Sequence, residues 1–487
     1  MQPTDRARSK SFVPPAFSSK QPSLDKHRVA VLPLQNISPD PKDEYFADGM
    51  TEELISTMSK IGGLKVIART SVMGYKGGEK KIDQIARELN VGTILEGSVR
   101  KAGDKLRITV QLIDSESSDH LWSESYDREM KDVFAIQSDI SQTVAEALKV
   151  KLLPVEKQRV EKEPTKNAEA YELYLKGLET APTMVAGYQR ENIERSREYF
   201  ERAVELDPNF ALAYAGLEVC YMEAFMYKPF DERAPKAEAA ARKALELDDN
   251  LAESHIALAD TLWHSYDFQG YEKEVKRAIE LKPNSATAHL YLGIHFMLFG
   301  RFDEAQVEMR KARELDPLSS SIRSWMLSLL YRSRQYDRAS EETVEEMKLH
   351  DRPGLHNLLA HIYRAKGDYE KAMIESEKAV AAVGPEERPF FISTLACIYA
   401  KAGRKEDTTR IVKELEEVSK QRYLPPDVFA DIYYCLGDYD ETFRILERAY
   451  DEHFEVVLPS SLTDPFYDEL RSHPRFIALL KKVGLEK

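Results

Sequence analysis

The chain has 487 residues, enough for about three domains at roughly 150 residues each, so a sizeable core is within its reach. With 69 Lys+Arg against 83 Asp+Glu the formal net charge is -14, which argues against general attraction to nucleic acid, and 43% apolar with 31% charged residues excludes a chain disordered throughout. No run approaches the roughly 18 apolar residues of a membrane helix and the opening stretch MQPTDRARSKSFVPP lacks the apolar centre of a secretory signal, so a cytoplasmic location is expected.

Residues 1–27 are rich in Ser, Pro and basic side chains without apolar periodicity, the composition of a disordered lead-in. Order is expected from Val29: the apolar run VAVLPL (29–34) reads as a strand, and NISPDPKDEYFADG after it as a turn-rich loop. Asp48 is placed to cap a helix whose Met50, Leu54, Ile55, Met58 and Ile61 recur at helical spacing, with Gly62-Gly63 stopping it. LKVIAR (64–69) follows as a strand, Ile82, Ile85, Ala86 and Leu89 as a short helix, and 91–101 with 105–114 as a hairpin about Gly103-Asp104. In its second arm Leu106, Ile108, Val110 and Leu112 alternate with polar residues, so one face enters the core. A helix over 132–153 with Val133, Ile136, Ile140, Val144 and Leu148 on one stripe can cover that face. Residues 28–153 therefore form an α/β domain, a mixed sheet with helices, and the charged stretch 154–167 a linker.

After Ala168 strand signals stop and amphipathic helices alternate with turns. Aligning Gly177, Gly216, Ala259, Gly293, Leu327, Ala360, Ala396 and Ala430 gives spacings of 39, 43, 34, 34, 33, 36 and 34. A period near 34 marks a helical repeat array, about eight units over 168–453, with 454–487 as a capping segment. The clearest units, AESHIALADTLWHSYDFQGYEKEVKRAIELKPN and ATAHLYLGIHFMLFGRFDEAQVEMRKARELDPL, resemble tetratricopeptide repeats, marked by small residues at positions 8, 20 and 27 and Pro at 32. Gly293, Ala305, Ala312 and Pro317 fill those places in the fourth unit, whereas Tyr271 departs from a small residue at position 20 of the third. The resemblance implies an all-α tetratricopeptide superhelix, an α-α solenoid. The phrases VAVLPLQNISPDPKDEYFADGMTEELI, KVIARTS, LNVGTILEGSVRKAGDKLRITVQLID and HLWSESYDREMKDVFAIQ make the first domain similar to the TolB-like (FlgO-like) family that precedes such arrays. The whole arrangement resembles the carboxy-terminal half of class III adenylate or guanylate cyclase and CadC-like regulator proteins.

No catalytic constellation stands out. There is no kinase HRD or DFG set, and GYKGGEKK lacks the GK[ST] of a phosphate loop. His289/His295 and His356/His361 lack HExxH spacing and read as packing or groove residues; Cys220, Cys397 and Cys435 are too far apart for a metal knuckle and read as reduced thiols. No enzyme activity, cofactor, metal or nucleic acid is implied. Stacked units would instead leave a concave groove lined by their first helices. The resemblance carries the readout onto Ile256, Asp260, Trp263, Leu290, Ile294, Met297, Ser328, Tyr331, Asn357, His361 and Arg364, without the Lys/Asn clamp that grips carboxy-terminal carboxylates. The expected role is a non-catalytic scaffold in signalling, binding a protein or peptide in the groove, with homo-oligomers included. Its rivals are the regulatory half of a cyclase or kinase system and a transcription regulator lacking its DNA-binding domain.

Overall fold

The computed structural model describes residues 24–78, 80–181, 190–226, 230–422, 424, 426–451 and 458–485; most of the stretch read as a disordered lead-in lies outside them. Six strands, β1 (Arg28–Val31), β2 (Gln35–Asn36), β3 (Lys65–Val66), β4 (Thr93–Ala102), β5 (Lys105–Asp114) and β6 (His120–Glu129), make one sheet ordered β3-β1-β4-β5-β6, with β2 also on β4. β1 runs parallel to β3 and β4, while β4, β5 and β6 are antiparallel. Gly103, at φ 61°, makes the tight turn between β4 and β5. In β5 Leu106, Ile108, Val110 and Leu112 are buried, so period-two patterning sets the register against Lys101, Val99, Gly97 and Leu95.

Helices α1 (Glu44–Met58), α2 (Arg69–Val72), α3 (Ile82–Leu89) and α4 (Val133–Ala147) complete the domain, and α5 (Pro154–Glu161) lies in the stretch read as a linker. Three sequence expectations change. α1 starts at Glu44, so Asp48 is not its cap; it is buried inside the helix, 2.7 Å from the Lys76 ammonium. The second strand shrinks to two residues because the chain turns into α2 at Arg69. α4 ends at Ala147, and Lys149 takes a left-handed φ of 56°, which stops the helix before Leu153.

The rest is helical. Eight antiparallel pairs follow among the described residues: α6 (Ala168–Thr180) with α7 (Arg190–Leu206), α8 (Ala211–Met222) with α9 (Phe230–Leu247), α10 (Ala252–His264) with α11 (Phe268–Leu281), and α12 (Ala286–Leu298) with α13 (Phe302–Leu315). Then come α14 (Ser320–Arg332) with α15 (Tyr336–Leu349), α16 (Pro353–Ala365) with α17 (Tyr369–Ala381), α18 (Arg388–Lys401) with α19 (Lys405–Ser419), and α20 (Asp427–Leu436) with α21 (Tyr439–Asp451). α22 (Leu458–Thr463), the turn Pro465–Leu470 and α23 (Pro474–Val483) end the chain. Small residues let the pairs approach. The Phe200 ring sits between two glycines, and a methyl added at Gly177 or Gly216 would fall 2.4 Å or 2.7 Å from it. No helix among the described residues is long and apolar enough to cross a membrane.

The α/β domain lies on the array. α1 packs on α6, where a methyl at Gly49 would meet Leu175 at 2.7 Å. Tyr45 and Phe46, in the stretch read as a turn-rich loop, are buried, and the Tyr45 hydroxyl donates to Glu172 at 3.0 Å. Further along, the Ala68 amide donates to the Leu315 carbonyl at 2.8 Å and the Ser71 hydroxyl to Asp316 at 2.5 Å. Asn284 donates to the Ile61 carbonyl at 3.1 Å.

Candidate functional site: the repeat groove

The inner faces of four first helices carry the residues the sequence singles out. α10 supplies Ile256, Asp260 and Trp263; α12 supplies Leu290, Ile294 and Met297; α14 supplies Ser328 and Tyr331; α16 supplies Asn357, His361 and Arg364. Leu290, Met297, Tyr331 and Arg364 are buried and the other seven half-buried. An open trough is therefore not what these residues line. Leu290 and Met297 belong to the core between the third and fourth pairs, with Ile256 and Ile294 packed on it. Trp263 turns its edge to Phe268 at 5.2 Å and lies 5.1 Å from Tyr271, inside a cluster completed by the chain's own end.

That end, residues 458–485, fills the groove. The Tyr331 hydroxyl donates to Asp464 at 3.0 Å. The Arg332 guanidinium donates to the Ser460 hydroxyl at 2.7 Å, the Ser460 carbonyl at 3.2 Å and the Thr463 hydroxyl at 3.2 Å, and lies 3.3 Å from the Asp464 carboxylate. Arg334 pairs with Asp468. The Arg364 guanidinium lies 3.9 Å over the Phe466 ring, a cation-π contact strengthened by removal from water. On the far wall Tyr467 donates to Asp431 at 2.5 Å, and Tyr434 meets Phe466 edge-on at 4.7 Å.

The electrostatics follow the burial. Burial, reinforced by Arg364, pushes His361 down to about 3, so the ring is neutral and its Nδ1 accepts from Arg364 at 3.0 Å. Burial pushes Asp431 up to about 6 against the opposing pull of the Tyr467 hydroxyl. Burial would raise Asp260 too, but His264 3.5 Å away holds it below the usual carboxylate range. The other histidine pairs are structural clamps: His289 Nδ1 lies 2.6 Å from Glu308, His356 Nδ1 2.5 Å from Glu375 and His255 Nδ1 2.6 Å from Glu274, each joining the two helices of one unit. Among the described residues no group of three or more His, Cys, Asp or Glu is placed to hold a metal ion.

Sequence reasoning missed Arg332, Arg334, Asp464, Phe466 and Tyr467. Their signal was the complementarity of the basic YRSRQY (331–336) with the acidic, aromatic DPFYDEL (464–470). It also took Cys397 and Cys435 for reduced thiols. The structure joins them in a disulfide with a Cα–Cα separation of 5.2 Å, because 38 residues is close to one repeat and stacking sets equivalent helices side by side. Cys220 is free and buried.

Known proteins resemble this chain in parts. Residues 25–143 match the family model of the HilA/YgeH-like transcriptional regulator, second domain, in place of the TolB-like family suggested by the sequence phrases. Residues 187–210 and 353–382 match the tetratricopeptide repeat model. Putative adenylate cyclase 3 of Rhizobium meliloti (strain 1021) is 36% identical over 262 residues, which cover 53% of this chain and 43% of that protein. The chain thus spans less than half the length of this curated relative. A tetratricopeptide repeat protein of Parabacteroides merdae ATCC 43184 aligns at 15% identity with a TM-score of 0.42, covering 55% of this chain and all of its own. Yeast Tom70 aligns at 17% identity with a TM-score of 0.43, covering 73% of this chain and 82% of its own.

Proposed function

We propose that this chain is a non-catalytic interaction scaffold in signalling or regulation, whose groove recognises a protein segment carrying closely spaced acidic and aromatic side chains. The observation that carries this reading is the chain's own segment 458–485. It occupies the groove as such a ligand would, with Asp464 and Asp468 on arginines and Phe466 under a guanidinium. A partner engages by displacing the segment, so affinity depends on the competition between the two. A cytoplasmic location belongs to the same reading.

A labelled peptide copying residues 458–474 tests it by fluorescence anisotropy. The native chain, with its groove filled, should leave the peptide free. A chain carrying Asp464→Ala and Phe466→Ala should bind it with a Kd on the order of micromolar, and adding Arg332→Ala should abolish that binding. If the doubly substituted chain leaves the peptide free as well, the groove does not recognise this chemistry and the reading fails.

A second reading is favoured by the Rhizobium meliloti relative: the chain is the regulatory half of an adenylate cyclase system, and displacement of the segment passes a signal to the effector. The match to the HilA/YgeH-like second domain favours a transcription regulator in the same way. Both readings keep the groove and change only what it reports to.

A further inference from the structure

A cavity of about 1050 Å³ lies in the seam between the α/β domain and the array, walled by α1, α4, the stretch 155–169 and the turns at 206–212 and 247–253. Several of its buried charges are matched. Glu253 pairs with Lys282 at 2.8 Å, Asp248 with Lys162 at 2.7 Å, and Asp207 accepts from Thr165 at 2.5 Å. Glu53 on α1 and Lys60 just past its end differ. Glu53 is only 6% exposed and lines the cavity, yet its carboxylate has no hydrogen bond or ion pair among the described residues. Lys60, two residues past the end of α1, lines the same cavity, is in electrostatic reach of Glu53 and has a single long hydrogen bond of 3.4 Å to the Arg159 carbonyl.

A buried carboxylate with no hydrogen bond is costly, and so is a half-buried ammonium whose one hydrogen bond is to a carbonyl. Burial accordingly pushes Glu53 up to about 7 and Lys60 below its ordinary value. The volume is that of a small-molecule site placed between domains, where such sites concentrate. We propose that this cavity binds a small zwitterion of the amino-acid class, its ammonium on Glu53 and its carboxylate on Lys60. One ligand then gives each of the two charges a direct ionic contact, which a simple amine or a simple acid cannot do. Because its walls come from both domains, the bound molecule ties the α/β domain to the array. The site is separate from the groove and stands whether or not the groove takes a partner.

Titration calorimetry of the full chain with three probes of one length tests this: 5-aminopentanoate, pentylammonium and pentanoate. The zwitterion should bind at least about tenfold more tightly than either singly charged probe, the effect of one additional charge-assisted contact. Glu53→Gln should erase its advantage over pentanoate, and Lys60→Gln its advantage over pentylammonium, with the circular dichroism of both variants unchanged. Absence of heat with 5-aminopentanoate, equal affinity for all three probes, or an advantage that survives both substitutions would overturn the proposal.

Discussion

The chain folds back on its repeats twice, and the two contacts are built differently. Where the α/β domain meets the array, one apolar core runs without a break from Val29 through Phe46, Tyr171, Phe200 and Phe210 to Leu217. Where the carboxy-terminal segment meets the array, its apolar residues Tyr467, Leu470, Phe476 and Leu479 share a smaller core with Phe443 and Leu446 of the last unit and Phe268 of the third. Across the groove, on the fifth and sixth units, contact passes instead to Arg332, Arg334, Arg364 and Tyr331. A shared core can be separated only by exposing its apolar area, whereas charged and hydrogen-bonded partners can be exchanged for water or for a similar ligand. The first contact makes one body; the second makes a latch.

Phe200→Ala is the hardest blow to the first contact. It empties the space between Gly177 and Gly216 and should cost about 3–5 kcal/mol, read from the urea midpoint. Hydrogen exchange should show protection falling in the sheet and in α6–α8 together. Loss confined to α6–α8 would mean that the shared core does not bind the two parts into one cooperative unit.

The seam itself should respond to pH. Glu53 titrates at about 7 in the folded chain against an ordinary 4.5, so the folded state holds a proton that the unfolded chain releases. Its contribution is fully present below about 4.5 and is lost as pH rises through 7. Glu53→Gln should flatten that decline and leave the chain more stable than the native one above pH 7, by up to about 3 kcal/mol. Denaturation midpoints between pH 5 and 8 measure it; a native chain as stable at pH 8 as at pH 5 would show the carboxyl to be matched by another group.

Legibility followed the same division. The helix pairs could be read because each buries a stripe at 3.6-residue spacing and repeats near 34 residues, and β5 because its alternation survives on a half-covered sheet. β6 could not, since it lies at the sheet's edge with Tyr126 alone buried and presents HLWSESYDRE, a run without period-two contrast. Nor could α5, whose PVEKQRVE buries only Glu156 and Val160. The groove residues were legible as inward-facing and not as covered. Helical position tells which face a side chain such as Tyr331 or Arg364 occupies, but not which distant segment arrives there. Asp464 lies 133 residues from Tyr331, and only the curvature of the stacked pairs brings them together. Glu53 was illegible for a related reason: on α1 it resembles any solvated glutamate until the repeats close over it.

The gentlest test falls on the latch. Tyr467 donates to Asp431, whose carboxyl is pushed up to about 6 by burial, so the carboxyl's own contribution is lost as pH rises from about 4 through 6, while the hydroxyl's hydrogen bond counts for more once the carboxylate is ionised. Tyr467→Phe keeps the ring among Tyr434, Phe466 and Phe476 but removes the donor that the ionised carboxylate needs. It should loosen the segment by about 1–2 kcal/mol at pH 7 and by less at pH 5, where Asp431 holds its own proton. Trypsin cleavage at Arg471, which is tied by hydrogen bonds to the Leu462, Thr463 and Asp464 carbonyls, reports that release directly. Faster cleavage there, with hydrogen exchange in the α/β domain unchanged, is what independent contacts require. If the sheet loosens in step with the segment, then the latch and the seam are a single cooperative structure, and a partner entering the groove would be felt in the α/β domain through the array that joins them.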